Sequence, residues 1–419
     1  VRYSSRSNQV SDNFRYNPAK VTMGSPYLLH GVLPQDITIY SGKADYTHPL
    51  AKEAKLEMGV KSSYVKIDNN APYLSFDNVA KVDTVDGRSD HFIYDENINA
   101  AYVNYSRQIK KWGIQAGLRM EHTHSIANSV KLGTKIPKDY VQLFPTTYVS
   151  YKLDDKNTFG LSYGRRLDRP SYQDMNPFQR LLDQYTFQQG NPYLTPQFTH
   201  NVEFSHNYKG KLNTVLNYTN TTDIINDIIR QNNATKVSFQ TKENIATRRS
   251  MGVAISYNSS ITKWWSTSVY GNLFNSHFKG IVNNAPLDAS ITSFMGNTSQ
   301  QFRFAKTWTA EVNAFFRTPM QEGGIIISKP MGVVSFGFGK QIIKGKGTLR
   351  LNISDPFRFQ QFKGDIKFDN INMKLRSLND TRRVGISFSY RFAKGQNVQQ
   401  KKRASASQDE QNRVGGGQQ

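Results

Sequence analysis

Apolar and polar residues alternate with period 2 again and again between about residue 37 and residue 392, which restricts the chain to strands with two chemically different faces. In residues 112–121, Trp112, Ile114, Ala116, Leu118 and Met120 share one face, while Gly113, Gln115, Gly117, Arg119 and Glu121 share the other. Phe159, Leu161 and Tyr163 alternate with Thr158, Gly160, Ser162 and Gly164. Ala310, Val312, Ala314 and Phe316 oppose Glu311, Asn313 and Arg317. Helical 3.6-residue patterns are scarce. A soluble sandwich would show the same alternation, so this feature alone leaves both a sandwich and a barrel open.

Connection lengths discriminate between them. The alternation predicts fifteen strands, at roughly 37–47, 54–68, 91–107, 112–125, 140–153, 157–167, 198–208, 212–230, 236–259, 264–278, 288–303, 307–319, 331–340, 346–355 and 382–392. Short connections centre on Lys110-Lys111, Asp154-Asp155-Lys156-Asn157, Lys209-Gly210-Lys211, Thr262-Lys263, Ala305-Lys306 and Lys344-Gly345. Long ones cover 69–90, 126–139, 168–197, 279–287, 320–330 and 356–381, with a tight connection near Gln231–Thr235 as an exception on that side. Tight turns at one end and long loops at the other is the layout of an outer-membrane barrel, whose strands need about nine to eleven residues per crossing. Fifteen is odd, so closure requires at least one more strand, from residues 1–16 or from upstream. The expected organisation is a poorly patterned segment at 1–36 that could supply a strand plus a loop, a barrel portion at 37–392, and a disordered polar tail at 393–419.

Composition removes other classes. The chain has no cysteine, hence no disulfide framework, thiolate metal site or cysteine nucleophile. Apolar runs such as Gly324–Ile327 fall far short of the roughly 18 residues of a spanning helix. The net charge of +22 is spread along the chain, its one dense run being Lys401, Lys402 and Arg403, and no nucleic-acid-binding motif accompanies it. No nucleophile elbow, paired-histidine zinc helix or Walker loop is present, and 337–347 has the wrong glycine spacing for one. The expectation is a non-enzyme without cofactor, metal or nucleic-acid partner. The chain begins with Val and no basic-then-apolar leader follows, so it reads as a fragment.

Residues 159–197 carry FGLSYGRRLDRPSYQDMNPF and then YTFQQGNPYLTPQ. Arg165, Arg166, Arg169-Pro170-Ser171-Tyr172, Asn176-Pro177-Phe178, Gly190-Asn191-Pro192, Leu194 and Pro196-Gln197 resemble the mid-barrel signature of TonB-dependent receptors in the Bacteroidetes-type outer-membrane beta-barrel family. Glu243-Asn244-Ile245, Arg248-Arg249-Ser250-Met251-Gly252, Lys263-Trp264-Trp265 and Asp355-Pro356-Phe357 agree. Gln197 departs from the acidic residue usual in related receptors. The resemblance implies an all-β transmembrane antiparallel barrel, here a partial wall of one with about 22 strands. It also implies an outer-membrane receptor that takes up a nutrient or metal chelate. Its partners would be membrane lipid and lipopolysaccharide, the barrel assembly machinery, and a plug domain and TonB in the complete protein. No plug-like or TonB-box segment is visible in these residues. The alternative is a non-transporting barrel, a surface or secretion-machine component.

Within that frame the candidate ligand contacts are Arg165, Arg166, Arg169, Tyr172, Asn176, Phe178, Tyr185 and Asn191, arginines and aromatics in or beside an external loop that could bind an anionic or planar ligand. Turn chemistry at Arg169-Pro170 and Asn191-Pro192 is the competing reading. Arg165 and Arg166 alternate faces, one toward the lumen and one toward lipopolysaccharide or a neighbouring strand. His122 and His124 share a face and extend the apolar side of residues 112–120, a rim position rather than a metal site. Trp112, Tyr151, Trp264, Trp265, Trp308, Tyr390 and Phe392 suit interface girdles. Phe388, Tyr390 and Phe392 end a terminal strand of the kind that the assembly machinery recognises.

Overall fold

The computed structural model describes residues 1–13, 27–77, 81–131, 133–182, 186–231, 237–369, 371–392 and 405–414. One antiparallel sheet of eighteen strands dominates, with two four-stranded sheets beside it. Two of the eighteen, Tyr73–Asp77 and Val82–Val85, form a hairpin inside a connection. The other sixteen are the wall: β1 (Arg2–Asn13), β2 (Tyr27–Leu50), β3 (Ala54–Ala71), β4 (Asp90–Ile109), β5 (Trp112–Ser129), β6 (Thr134–Lys152), β7 (Asn157–Asp168), β8 (Gln197–Tyr208), β9 (Leu212–Thr222), β10 (Ala246–Ser260), β11 (Trp265–Val282), β12 (Ala285–Phe304), β13 (Trp308–Arg317), β14 (Met331–Ile342), β15 (Gly347–Ser354) and β16 (Arg383–Tyr390). Each pairs with the next in chain order, a simple meander. Among the described residues β1 pairs only with β2 and β16 only with β15, so the wall has two open edges.

All fifteen expected strands are present, and β1 is the additional one, so the barrel portion begins well before residue 37. Two expected strands are each divided. The run at 212–230 breaks at Asp223 and continues as Ile225–Gln231, and the run at 236–259 breaks at Ile245 after Ser238–Asn244. Asp223 has φ +55°, the left-handed turn that ends β9 and redirects the chain into a loop hairpin. The tight connection expected near Gln231–Thr235 lies largely outside the described residues.

Two expected long loops prove to be strand. β5 and β6 extend until only residues 130–133 join them, and β11 and β12 until Asn283-Asn284 suffice. Both asparagines have positive φ, 49° and 66°, as a two-residue hairpin turn with the right twist requires. These hairpins therefore project past the level of their neighbours.

The register lays down an apolar belt. Ile114, Val149, Leu161, Phe204, Leu216, Val253, Leu273 and Phe294 are successive direct cross-strand partners through eight neighbouring strands, β5 to β12. Leu161 is 51% exposed and Leu216 53% exposed, so the belt is not covered by protein. One residue along, Gln115, Tyr148, Ser162, Glu203 and Asn217 form the corresponding polar ladder. A one-residue slip would exchange the two faces, so the pattern holds the register. Near the short-turn end, Trp112 packs at a tilt on Tyr151, while Trp264 stacks on Phe302 and Phe304 on Trp308, at centroid separations of 4.6, 6.1 and 6.5 Å.

The polar face is the inner one, because the long connections fold onto it. Residues 169–196 contain helix α1 (Tyr172–Met175) and the hairpin Gln179–Leu181/Thr186–Gln189, which extends into a sheet with Ser238–Asn244 and Ile225–Gln231. Tyr172, Met175, Phe178 and Leu194 pack with Ile37, Ile39, Val65, Ile67, Phe92 and Tyr94 in one buried cluster. The composition of 393–419 predicts no structure, yet helix α2 (Gln408–Val414) lies within it and also sits on the inner face. Apart from Val414 its contacts are made by charged side chains, and a reading based on apolar periodicity cannot register those.

Candidate functional site

Where the inner face meets the long-loop end, the wall gathers a set of buried charges. Period-2 geometry puts Lys61 of β3, Glu96 of β4, and Arg119, Glu121 and Thr123 of β5 on that face. Glu96 is 2% exposed and Glu121 5% exposed, levels at which a carboxylate must be paired. Arg119 Nε donates to Glu121 Oε1 at 2.6 Å, and Arg169 Nη2 donates to Glu121 Oε2 at 2.7 Å and to Thr123 Oγ1 at 2.9 Å. Tyr94 Oη donates to Glu96 Oε1 at 2.8 Å. Arg413 of α2 approaches the same carboxylate from the other side, and Lys61 pairs with Asp409 and Glu410. A cavity of about 390 Å³ remains between wall and helix, lined by Lys61, Arg119, Glu121, Arg169, Asp409 and Arg413 among others.

Burial works against the charge on Arg169, but Glu121 and Glu96 more than offset it and hold its pKa above the ordinary value. Burial likewise pushes the Tyr172 phenol well up, so Tyr172 stays a neutral donor. The arrangement binds charge and offers no nucleophile–base pair.

The structure disperses the sequence candidates. Arg169 joins the buried cluster. Tyr172 is 1% exposed and Asn176 and Phe178 are buried, all within the packing of the loop against the wall. Asn191 Oδ1 accepts from Tyr193 N at 3.0 Å, which is turn chemistry, and its Nδ2 donates to the Lys242 carbonyl at 2.9 Å, which ties the loop to the strand Ser238–Asn244. Gly190 explains its place in the motif: its N–H donates to the Asn176 carbonyl at 3.0 Å, and a Cβ there would collide with that same oxygen. Tyr185 lies outside the described residues. Arg165, on the face of Leu161 and Tyr163, stacks over Phe198 at 4.7 Å and donates to the Leu143 carbonyl and Gln142. Arg166 takes the opposite, inner face and is exposed. It pairs with Thr199, whose partner Thr221 pairs with Arg248, so two arginines share one inner ladder.

Sequence reasoning missed Lys61, Glu96, Glu121 and Arg413. For the first three the signal lay in charged residues placed mid-strand on the polar parity, where an ordinary solvent-facing position and a lumen position look alike, and for Arg413 of α2 no such signal existed. His122 and His124 both reach Asp139, at 3.0 and 2.9 Å, as a hydrogen-bonded cluster on the outer face, and no group of three or more such side chains able to hold a metal occurs among the described residues.

The chain matches the model of the outer membrane protein beta-barrel family over residues 1–390. Solved structures with similar folds include the copper transporter OprC (TM-score 0.64, 14% identity), covering 93% of this chain and 61% of that one. The ferric yersiniabactin uptake receptor FyuA from Yersinia pestis (TM-score 0.59, 13% identity) gives 92% and 58%. The ferric citrate transporter FecA (TM-score 0.57, 12% identity) gives 92% and 57%. The chain therefore spans less than two thirds of the length of these structures, and at such identities the likeness is one of fold. Comparison with curated proteins finds no match. A sixteen-strand meander with an apolar outer belt, a charged inner face and a family match over nearly all its length makes this chain a member of the outer membrane protein beta-barrel family, resident in the outer membrane.

Proposed function

We propose that this chain is wall from a TonB-dependent uptake receptor, and that the complete protein imports a nutrient or metal chelate with a plug domain inside the barrel. The observation that carries the reading is the inner face: buried, oppositely charged side chains directed inward, beneath a long loop packed onto that same face. The transport functions of OprC, FyuA and FecA support the same reading. Ligand recognition falls to exposed inner groups near the mouth, with Arg166 the foremost of the sequence candidates and Arg248 three strands along the same ladder.

The test is uptake by the complete protein. Cells lacking the gene should lose energy-dependent accumulation of one labelled metal chelate or small nutrient from a panel. The complete protein should restore it, and inactivating TonB should abolish it again. Accumulation that is indifferent to both the gene and TonB, across the panel, would leave the barrel as a surface component and defeat the reading.

A further inference from the structure

The environment of Glu96 is complete on every side. Arg413 Nη1 donates to Glu96 Oε2 at 2.5 Å and Nη2 to Oε1 at 3.3 Å, a two-pronged contact with one carboxylate. Its guanidinium lies over the Tyr172 ring at 4.2 Å, and its Nε donates to the Pro170 carbonyl at 3.1 Å. Tyr94 and Tyr172 direct their hydroxyls at the same carboxylate, at 2.8 and 3.4 Å. Planar fork, aromatic face and backbone acceptor match a guanidinium and not an ammonium, which lacks both the plane and the second prong. Two of the partners, Tyr172 and the Pro170 carbonyl, come from the loop and its helix, so the pocket exists only once residues 169–196 have folded onto the wall.

We propose that Glu96, Tyr94, Tyr172 and the Pro170 carbonyl form a guanidinium socket on the inner face, and that its occupant is Arg413, which holds the C-terminal segment 405–414 against the wall as an internal latch. A second contact sets the orientation of the segment: Lys61 Nζ lies 2.8 Å from Asp409 Oδ2 and 3.0 Å from Glu410 Oε1, with Glu410 only 2% exposed. The only large apolar side chain of the helix, Val414, packs against the buried cluster, and these ion pairs and the stacked guanidinium supply its other contacts with the wall. Burial disfavours the charge of Arg413, yet the Glu96 carboxylate holds its pKa above the ordinary arginine value, so the latch does not open by titration near neutral pH. Release requires competition for the socket, and the class of competitor is a guanidinium-bearing ligand or an arginine of another segment. This inference does not depend on the uptake reading, since it concerns a contact within the chain.

Because this chain has no cysteine, the latch can be followed with one at Ser407, only 3% exposed while the helix is docked and outside the ion pairs. The complete natural protein, with any cysteine outside this chain replaced by serine, carrying Ser407→Cys and purified in detergent, is reacted with a bulky polyethylene-glycol maleimide. Labelling should be slow in that background and at least about tenfold faster with Arg413→Ala, the scale of losing one charge-assisted pair. Arg413→Lys should also accelerate it, and Asp409→Lys should do so through Lys61. All three changes lie in the tail, so heat-modifiable migration should stay unchanged and certify an intact wall. Glu96→Gln should match Arg413→Ala, and millimolar L-arginine amide, but not L-lysine amide, should accelerate labelling of the parent. Equal rates in parent and tail variants would overturn the latch, and equal effects of the two amides would overturn the guanidinium preference.

Discussion

Arg169 Nη2 lies 2.7 Å from Glu121 Oε2, joining the first residue after β7 to the middle of β5, 48 positions earlier. Both side chains are nearly enclosed, at 13% and 7% exposure, and Arg119 holds the other oxygen of Glu121. The pair therefore fixes where the long connection starts across the inner face. Arg169→Ala should cost about 3 kcal/mol, the low end for orphaning a buried charge, because Arg119 remains. Arg169→Lys should recover part of that loss, since an ammonium restores the charge opposite Glu121 but on a shorter side chain than the guanidinium whose Nη2 reaches both Glu121 and Thr123. The temperature at which the folded band disappears in heat-modifiability gels reads both, and equal stability of all three proteins would remove the pair from any structural role.

Gly190 gives a second, local test. Its N–H reaches the Asn176 carbonyl at 3.0 Å and Asn191 N reaches the Asp174 carbonyl at 2.7 Å, closing the loop onto α1. Gly190→Ala should drive a methyl into that backbone at a cost of about 1–3 kcal/mol, the range for overpacking. Limited proteolysis of the intact protein should then cut within 169–196 at protease levels that spare the parent. Unchanged resistance would show that the loop can shift to admit a methyl.

These two residues mark the line between what the sequence discloses and what it hides. Strand parity and the apolar belt were legible because Leu161, Leu216 and Leu273 repeat a pattern dictated by a two-faced environment. The Gly190-Asn191-Pro192 turn was legible for the same local reason. The buried charges were not: Glu96 and Glu121 meet Arg413 and Arg169 across 317 and 48 positions, and no local period encodes a partner that far away. The loops assigned to 126–139 and 279–287 failed in the opposite sense, because polar residues on a projecting hairpin resemble loop composition while still forming a ladder.

The two ends of the sheet should lie on opposite sides of the membrane. Tyr193, 62% exposed in the long connection, and Asp155, whose side chain is 94% exposed in a short turn, are suited to single cysteines. A membrane-impermeant maleimide should label Tyr193→Cys on whole cells and reach Asp155→Cys only after lysis. The reverse pattern would invert the topology.

The terminal strand should be indispensable and the tail dispensable for insertion. β16 pairs with β15 along its whole length, and its Val384, Ile386 and Phe388 present a continuous exposed apolar face that leads to Phe392. Removing 393–419 from the complete protein should leave the amount of heat-modifiable barrel nearly unchanged, while removing 383–419 should abolish it, because the second deletion strips an edge that closure requires. Equal failure of the two truncations would assign the tail a role in assembly.

The central claim is that one face of this sheet meets lipid and the other does not, and neighbouring residues of β7 test it most directly. Leu161 stands in the apolar belt between Val149 and Phe204, whereas Ser162 stands in the polar ladder between Tyr148 and Glu203. An arginine on the lipid face near the bilayer midplane costs about 2–4 kcal/mol, while the same side chain on the inner face can pair with Glu203. The measurement is the amount of heat-modifiable barrel in outer-membrane fractions of cells expressing the complete protein with Leu161→Arg or Ser162→Arg. The structure predicts marked loss for Leu161→Arg and near-parental levels for Ser162→Arg, and equal levels for the two, or the reverse order, would contradict it.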